Sequence, residues 1–114
     1  MFTTQAEQTK EAIKTWEPAD KNIYPVSAWR EGRGVLVEME SNDPNVLMSG
    51  AARSAAWDLR KDPDLGIPAN AGVEALGGMR VIDVRDPNKR ILKLTEDDKQ
   101  HIRWRRLFRF TFAV

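Results

Sequence analysis

Residues 102 to 114 read Ile102-Arg-Trp-Arg-Arg-Leu-Phe-Arg-Phe-Thr-Phe-Ala-Val114. Side chains of an extended strand alternate between its two faces. Ile102, Trp104, Phe108, Phe110, Phe112 and Val114 therefore share one face, interrupted by Arg106. Arg103, Arg105, Arg109 and Thr111 share the other, with Leu107 as its one large apolar member. A strand so apolar on one side needs the rest of the chain as cover. The opposite side offers a row of guanidinium groups to solvent or to a partner.

Working back, Val35-Leu-Val-Glu-Met-Glu40 alternates in the same way. Val35, Val37 and Met39 form an inward face, and Glu38 and Glu40 fall on an outward, solvent-facing one. Glu31-Gly-Arg-Gly34 precedes it as a turn; no helix follows these glycines, as a phosphate-binding loop would require. Ile23-Tyr-Pro-Val26 reads as a short edge strand, because Pro25 cannot donate to a ladder. Val73 to Arg85 reads as a strand bulged at Gly77-Gly78. Lys89 to Leu94 reads as a short strand or an extended excursion.

Two helices are expected. Thr4 to Trp16 carries a capping-box signal, Thr4 with Glu7, and is stopped by Pro18. Asp43-Pro44 starts a second helix that runs to about Lys61, rich in alanine and so able to lie close to a sheet. Asp62 to Gly72 is a loop punctuated by Pro63, Gly66, Pro68 and Gly72. This order predicts a single α+β domain over residues 1–114, an antiparallel sheet with two helices packed on one face.

The chain has 114 residues, 41% hydrophobic and 31% charged, and a formal net charge of +1. That composition is globular rather than disordered, and the small net charge does not favour bulk attraction to nucleic acid. The charge is uneven, however. Lys99, Arg103, Arg105, Arg106 and Arg109 stand in the final stretch without an acidic residue among them. With no cysteine, disulfides and thiolate metal sites are excluded. The first residues lack the apolar core of a signal peptide, and no stretch has the length and apolarity of a membrane span.

Few residues point to chemistry. His101 is the only histidine, without the partners that catalysis or metal binding needs, and reads as a surface or edge residue. Glu38 and Glu40 read as solubilising carboxylates rather than an acid–base pair. Neither a catalytic constellation nor a metal or cofactor site is expected. The candidate interface residues are Arg103, Arg105 and Arg109, opposed by Glu38 and Glu40 as a complementary acidic surface, with Trp29 as an exposed anchor in a turn region. Arg106 would reach the sheet rim or find a buried acid. The same arginine row admits an alternative, a small sheet-based nucleic-acid-binding protein.

The layout resembles the tail-terminator (tail-completion) proteins of long-tailed bacteriophages. The likeness rests on chain length, an N-terminal helix, the Tyr24-Pro-Val26 segment, a helix after Asp43-Pro44, and the closing basic-aromatic strand Arg105 to Val114. It implies a small α+β subunit that closes with copies of itself into a ring, usually a hexamer. Such a ring caps the tail tube and joins it to the neck, with other tail or neck proteins as partners. The site implied is the host cytoplasm during assembly and then the virion tail or neck. A closed ring needs two complementary patches per subunit, which the charge asymmetry would supply.

Overall fold

The computed structural model describes residues 11–112. Five strands form one antiparallel sheet: β1 (Ala12–Thr15), β2 (Ile23–Glu31), β3 (Gly34–Ser41), β4 (Gly72–Asp83) and β5 (Ile102–Thr111). Their order is β1-β2-β3-β5-β4. Two short helices, α1 (Pro44–Leu47) and α2 (Gly50–Asp58), pack on one face. The α+β architecture with helices on one side of the sheet is thus as the sequence implies. The body is a plate, 47 × 41 × 24 Å. Among the described residues no helix is long and apolar enough to cross a membrane.

β3 lies at the centre, and every one of its residues is buried. Its register against β5 pairs Val35 with Phe110 and Val37 with Phe108, so the two apolar faces coincide. Phe108, Phe110, Val35, Val37 and Met39 join Leu47, Ala52 and Ala56 of the helices in the core. Burying each of these phenylalanines contributes about 2–3 kcal/mol. Ala52 and Ala56 carry no exposed surface, which is how α2 approaches the sheet so closely.

Gly32 and Arg33 make a two-residue turn between β2 and β3, with positive φ at Gly32 alone, the type II′ pattern. At Gly34 a β-carbon would lie 2.6 Å from the Phe110 carbonyl oxygen, so only glycine fits. The expected bulge in β4 is present, with a register shift between Leu76 and Arg80 and φ of +57° at Gly77.

Three local expectations are corrected. The helix over Thr4 to Trp16 does not extend through its second half. Ala12–Thr15 is a strand paired with β2, and Trp16 continues it by donating to the Val26 carbonyl at 3.0 Å. Residues 4–10 lie outside the described ones. Pairing to an available strand edge here outweighs a capping signal worth about 1 kcal/mol. The segment at Ile23–Val26 is not a short separate strand: it opens β2, which runs on to Glu31 between β1 and β3. β1 pairs with it only at Ser27–Trp29, with Trp16 reaching Val26, so Pro25 has a strand on one side alone and sits at a register shift before Ser27, as a non-donating residue requires. The long second helix is broken in two. Asp43 caps α1, accepting from the Asn45 N–H at 2.9 Å, but Ser49 takes an extended conformation and starts α2 afresh. Ser49-Gly50 joins a residue that favours caps to one that weakens helix interiors.

Lys89–Leu94 resolves as the excursion rather than the strand. Residues 84–101 leave the sheet between β4 and β5 without forming a strand. The Asp62–Gly72 loop is anchored by Leu65, Ile67 and Ala71 in the core. Lys14 clamps it from β1, at 2.6 Å to Asp62 and 3.0 Å to Asp64.

Candidate functional site

The sheet face away from the helices carries the predicted interface residues, and the structure brings most of them together. Glu40 faces Arg105 directly in the β3–β5 register, and Glu38 faces Leu107. Both glutamates are buried, at 4% and 5% exposure. This corrects two expectations at once. Glu38 and Glu40 are not solvent-facing, and they are not a surface separate from the arginines. They lie on the same face as Arg103, Arg105 and Arg109, because alternation in two neighbouring strands puts matching parities together.

The contacts form a ladder across four strands. Arg105 donates from Nε to Glu40 Oε1 at 2.9 Å and from Nη1 to Glu38 Oε1 at 3.4 Å. Arg103 donates from Nε to Glu40 Oε2 at 3.2 Å. Arg80, from β4, closes on Glu38 at 3.2 Å. From β2, the Tyr24 hydroxyl donates to Glu40 and accepts from Arg103 Nη2 at 2.9 Å. Further along, Arg109 pairs with Glu74 at 3.0 Å and with Glu31 at 3.7 Å.

The electrostatics follow from these partners. Burial pushes the Glu40 carboxyl up, but hydrogen bonds from Tyr24, Arg105 and Arg103 outweigh it and hold it below the usual carboxylate range. Tyr24 moves the other way, since burial and the adjacent Glu40 both disfavour its anion. All three arginines of the predicted row are therefore answered by carboxylates inside the chain. The face is preorganised and largely self-neutralised rather than a free cationic stripe.

Trp29 is in β2 opposite Leu36, half-buried on this same face, and not in a turn. Arg106 takes neither expected course. It lies 5.7 Å from the Phe108 ring and donates to the Leu47 carbonyl at 3.2 Å, serving the end of α1. His101 ends the 3-10 turn Asp98–Gln100, and its carbonyl accepts from the Val84 N–H at 2.8 Å. Among the described residues no group of three or more His, Asp or Glu is placed to hold a metal.

A second feature is the arm formed by residues 84–101. Arg85 clasps its base, bridging buried Asp83 at 2.6 Å, Asp98 at 2.9 Å and Asp97 at 3.3 Å. That guanidinium holds the Asp83 carboxyl far below the ordinary carboxylate range. Thr95 and Asp98 cap each other reciprocally, each N–H to the other's side chain at 3.2 Å. Beyond this base Leu92 stands 82% exposed.

A cleft of about 400 Å³ opens at the same end of the sheet, between the β1–β2 connection and α2. Trp16, Ile23, Pro25, Met39, Ala55 and Leu59 give it an apolar lining, with Glu17, Asp58 and Lys21 beside them.

Tyr24, Arg80 and Arg85 escaped sequence reading. Their roles depend on which strands become neighbours, and the only local trace was Asp83 two residues before Arg85. Comparisons with protein-family models, with curated proteins and with solved structures return no match to this chain.

Proposed function

We propose that this protein is a structural assembly subunit that closes with copies of itself into a ring, in the manner of a phage tail terminator capping a tail tube beneath the neck. One observation carries the reading: a broad sheet face, free of helices among the described residues, whose buried charges are already paired within the subunit. A face of this kind can be covered by a flat partner without stripping unpaired ions of water, the usual penalty at a charged contact. The plate shape supports it, since a thin subunit presents separate surfaces for lateral and for stacking contacts.

The alternative, nucleic-acid binding along β5, draws less support from the same geometry. Arg103, Arg105 and Arg109 would have to leave Glu40, Glu38 and Glu74 to reach phosphates.

Light scattering across protein concentration and salt tests the proposal. A discrete multimer, with a hexamer the expected mass, supports it. A strict monomer under every condition overturns it.

A further inference from the structure

Isolated exposed leucines are ordinary on protein surfaces. Leu92 is set apart by its surroundings. It lies in Arg90-Ile-Leu-Lys-Leu94, where basic and apolar residues are interleaved, and Arg90, Leu92 and Lys93 are all exposed. Among the described residues, positions 90–94 make no backbone hydrogen bond, and neither Arg90 nor Lys93 is in an ion pair. The base below this tip is stiffened by the Arg85 clasp and the Thr95–Asp98 box. A stiff base lowers the conformational entropy lost when the tip docks. An apolar knob flanked by two cations is thereby held out from the body.

The cleft between the β1–β2 connection and α2 is its counterpart in shape and charge. Its volume is more than ten times the ~30 Å³ share of a water molecule, ample for an aliphatic side chain. Glu17 and Asp58 are exposed beside the apolar lining and are in no ion pair among the described residues. Lys21 is the single cation there, so the rim is net acidic where the arm is basic. Leu92 is not seated in the cleft of its own chain, since it is almost fully in solvent.

We infer that the arm of one subunit docks in the cleft of a second copy, Leu92 entering between Trp16 and Leu59 while Arg90 and Lys93 meet Glu17 and Asp58. The inference rests on the assembly reading and names its lateral contact. Knob and cleft are different surfaces, so the contact is heterologous, and repeated around an axis it closes a ring. The sheet face that carries the charge ladder, free of helices among the described residues, is then the surface for stacking.

The test uses the full chain, with circular dichroism confirming that each variant folds. Leu92→Asp is expected to weaken self-association at least tenfold by sedimentation or light scattering. Asp58→Lys with Glu17→Lys should weaken it similarly, and mixing that variant with Arg90→Glu/Lys93→Glu should restore mixed assemblies. Ala19 also lines the cleft, and because the chain has no cysteine, Leu92→Cys mixed with Ala19→Cys should yield a disulfide between copies without competing native thiols. Wild-type multimers that persist unchanged in Leu92→Asp, with no cross-link between the cysteine variants, would overturn the arm contact and leave the assembly reading standing. A wild-type chain that stays monomeric throughout would overturn the assembly reading itself, and the arm contact with it.

Discussion

Arg105 and Glu40 occupy facing positions on β5 and β3, and Arg105 Nε donates to Glu40 Oε1 at 2.9 Å. The two residues are separated by sixty-five positions in the chain. Their pairing records which strands are neighbours and in what register. A one-residue slip of β5 would turn its arginines toward the core and Phe108 and Phe110 toward solvent. The ladder therefore specifies the fold more than it adds net stability.

Glu40→Gln removes a buried carboxylate on which Tyr24, Arg103 and Arg105 converge. Half-buried Arg103 would lose its carboxylate partner, and half-buried Arg105 would be left with Glu38 alone, at 3.4 Å. Stability is expected to fall by about 2–3 kcal/mol, at the lower end for a broken buried pair because both arginines can still reach water. Urea denaturation of the two proteins measures it. A double-mutant cycle with Arg105→Met should show coupling above 1 kcal/mol in size, on the order seen for directly contacting charges.

Acid should destabilise the protein in a defined window. Glu40 and Asp83 both have carboxyls held below their ordinary values, Glu40 by Tyr24 and the arginines against the pull of burial, Asp83 chiefly by Arg85. The unfolded chain then binds protons first as pH falls. Their contribution is complete above about pH 4–5, where unfolded carboxylates are ionised, and is lost as pH drops toward the folded-state values. Melting temperature followed from pH 7 to pH 2 should fall steeply below pH 4–5. Asp83→Asn and Glu40→Gln should each flatten that fall.

Gly34→Ala places a β-carbon 2.6 Å from the Phe110 carbonyl oxygen, across two paired strands. Relief requires the β3–β5 ladder to open at its end. A loss of about 1–3 kcal/mol is expected, as for other insertions into close-packed sites. Thermal melts of the two proteins would show it, and an unchanged melting temperature would mean that the strands separate there without cost.

Oligonucleotide binding should be weak. With Arg103, Arg105 and Arg109 committed to carboxylates, few counterions would be released from a bound strand. Fluorescence anisotropy with labelled single-stranded DNA at 50 and 200 mM salt should show no binding at micromolar protein, rather than the steep salt dependence of a cationic groove.

Much of the fold could be read from alternation alone. The inward faces of β3 and β5, the Gly32-Arg33 turn and the Gly77 bulge were each legible, because each is decided within a few residues. What alternation cannot supply is adjacency. It places Glu40 on one side of β3 and Arg105 on one side of β5, and leaves open whether those sides are the same. Hence the two charged sets read as separate patches when they are one ladder. Arg106 shows the same gap, since its acceptor is a helix-end carbonyl, Leu47, that carries no mark in the sequence. At Ala12–Thr15 a weak helical signal was overridden by a partner strand further along the chain.

The strand order β1-β2-β3-β5-β4 has a consequence for how the chain is made. β1, β2 and β3 follow one another and can pair as they leave the ribosome. β4 is complete some twenty residues before the strand that joins it to them. Until residues 102–111 emerge, its twelve residues have no place in the sheet, and the inner face of β3 lacks Phe108 and Phe110. During that interval Val73 and the Ala75-Leu76 step form an unpaired apolar strand, the kind of segment that chaperones cover and proteases cut. Nascent chains arrested before residue 102 should therefore be cut readily by a protease within 72–83, and released chains carrying β5 should resist it.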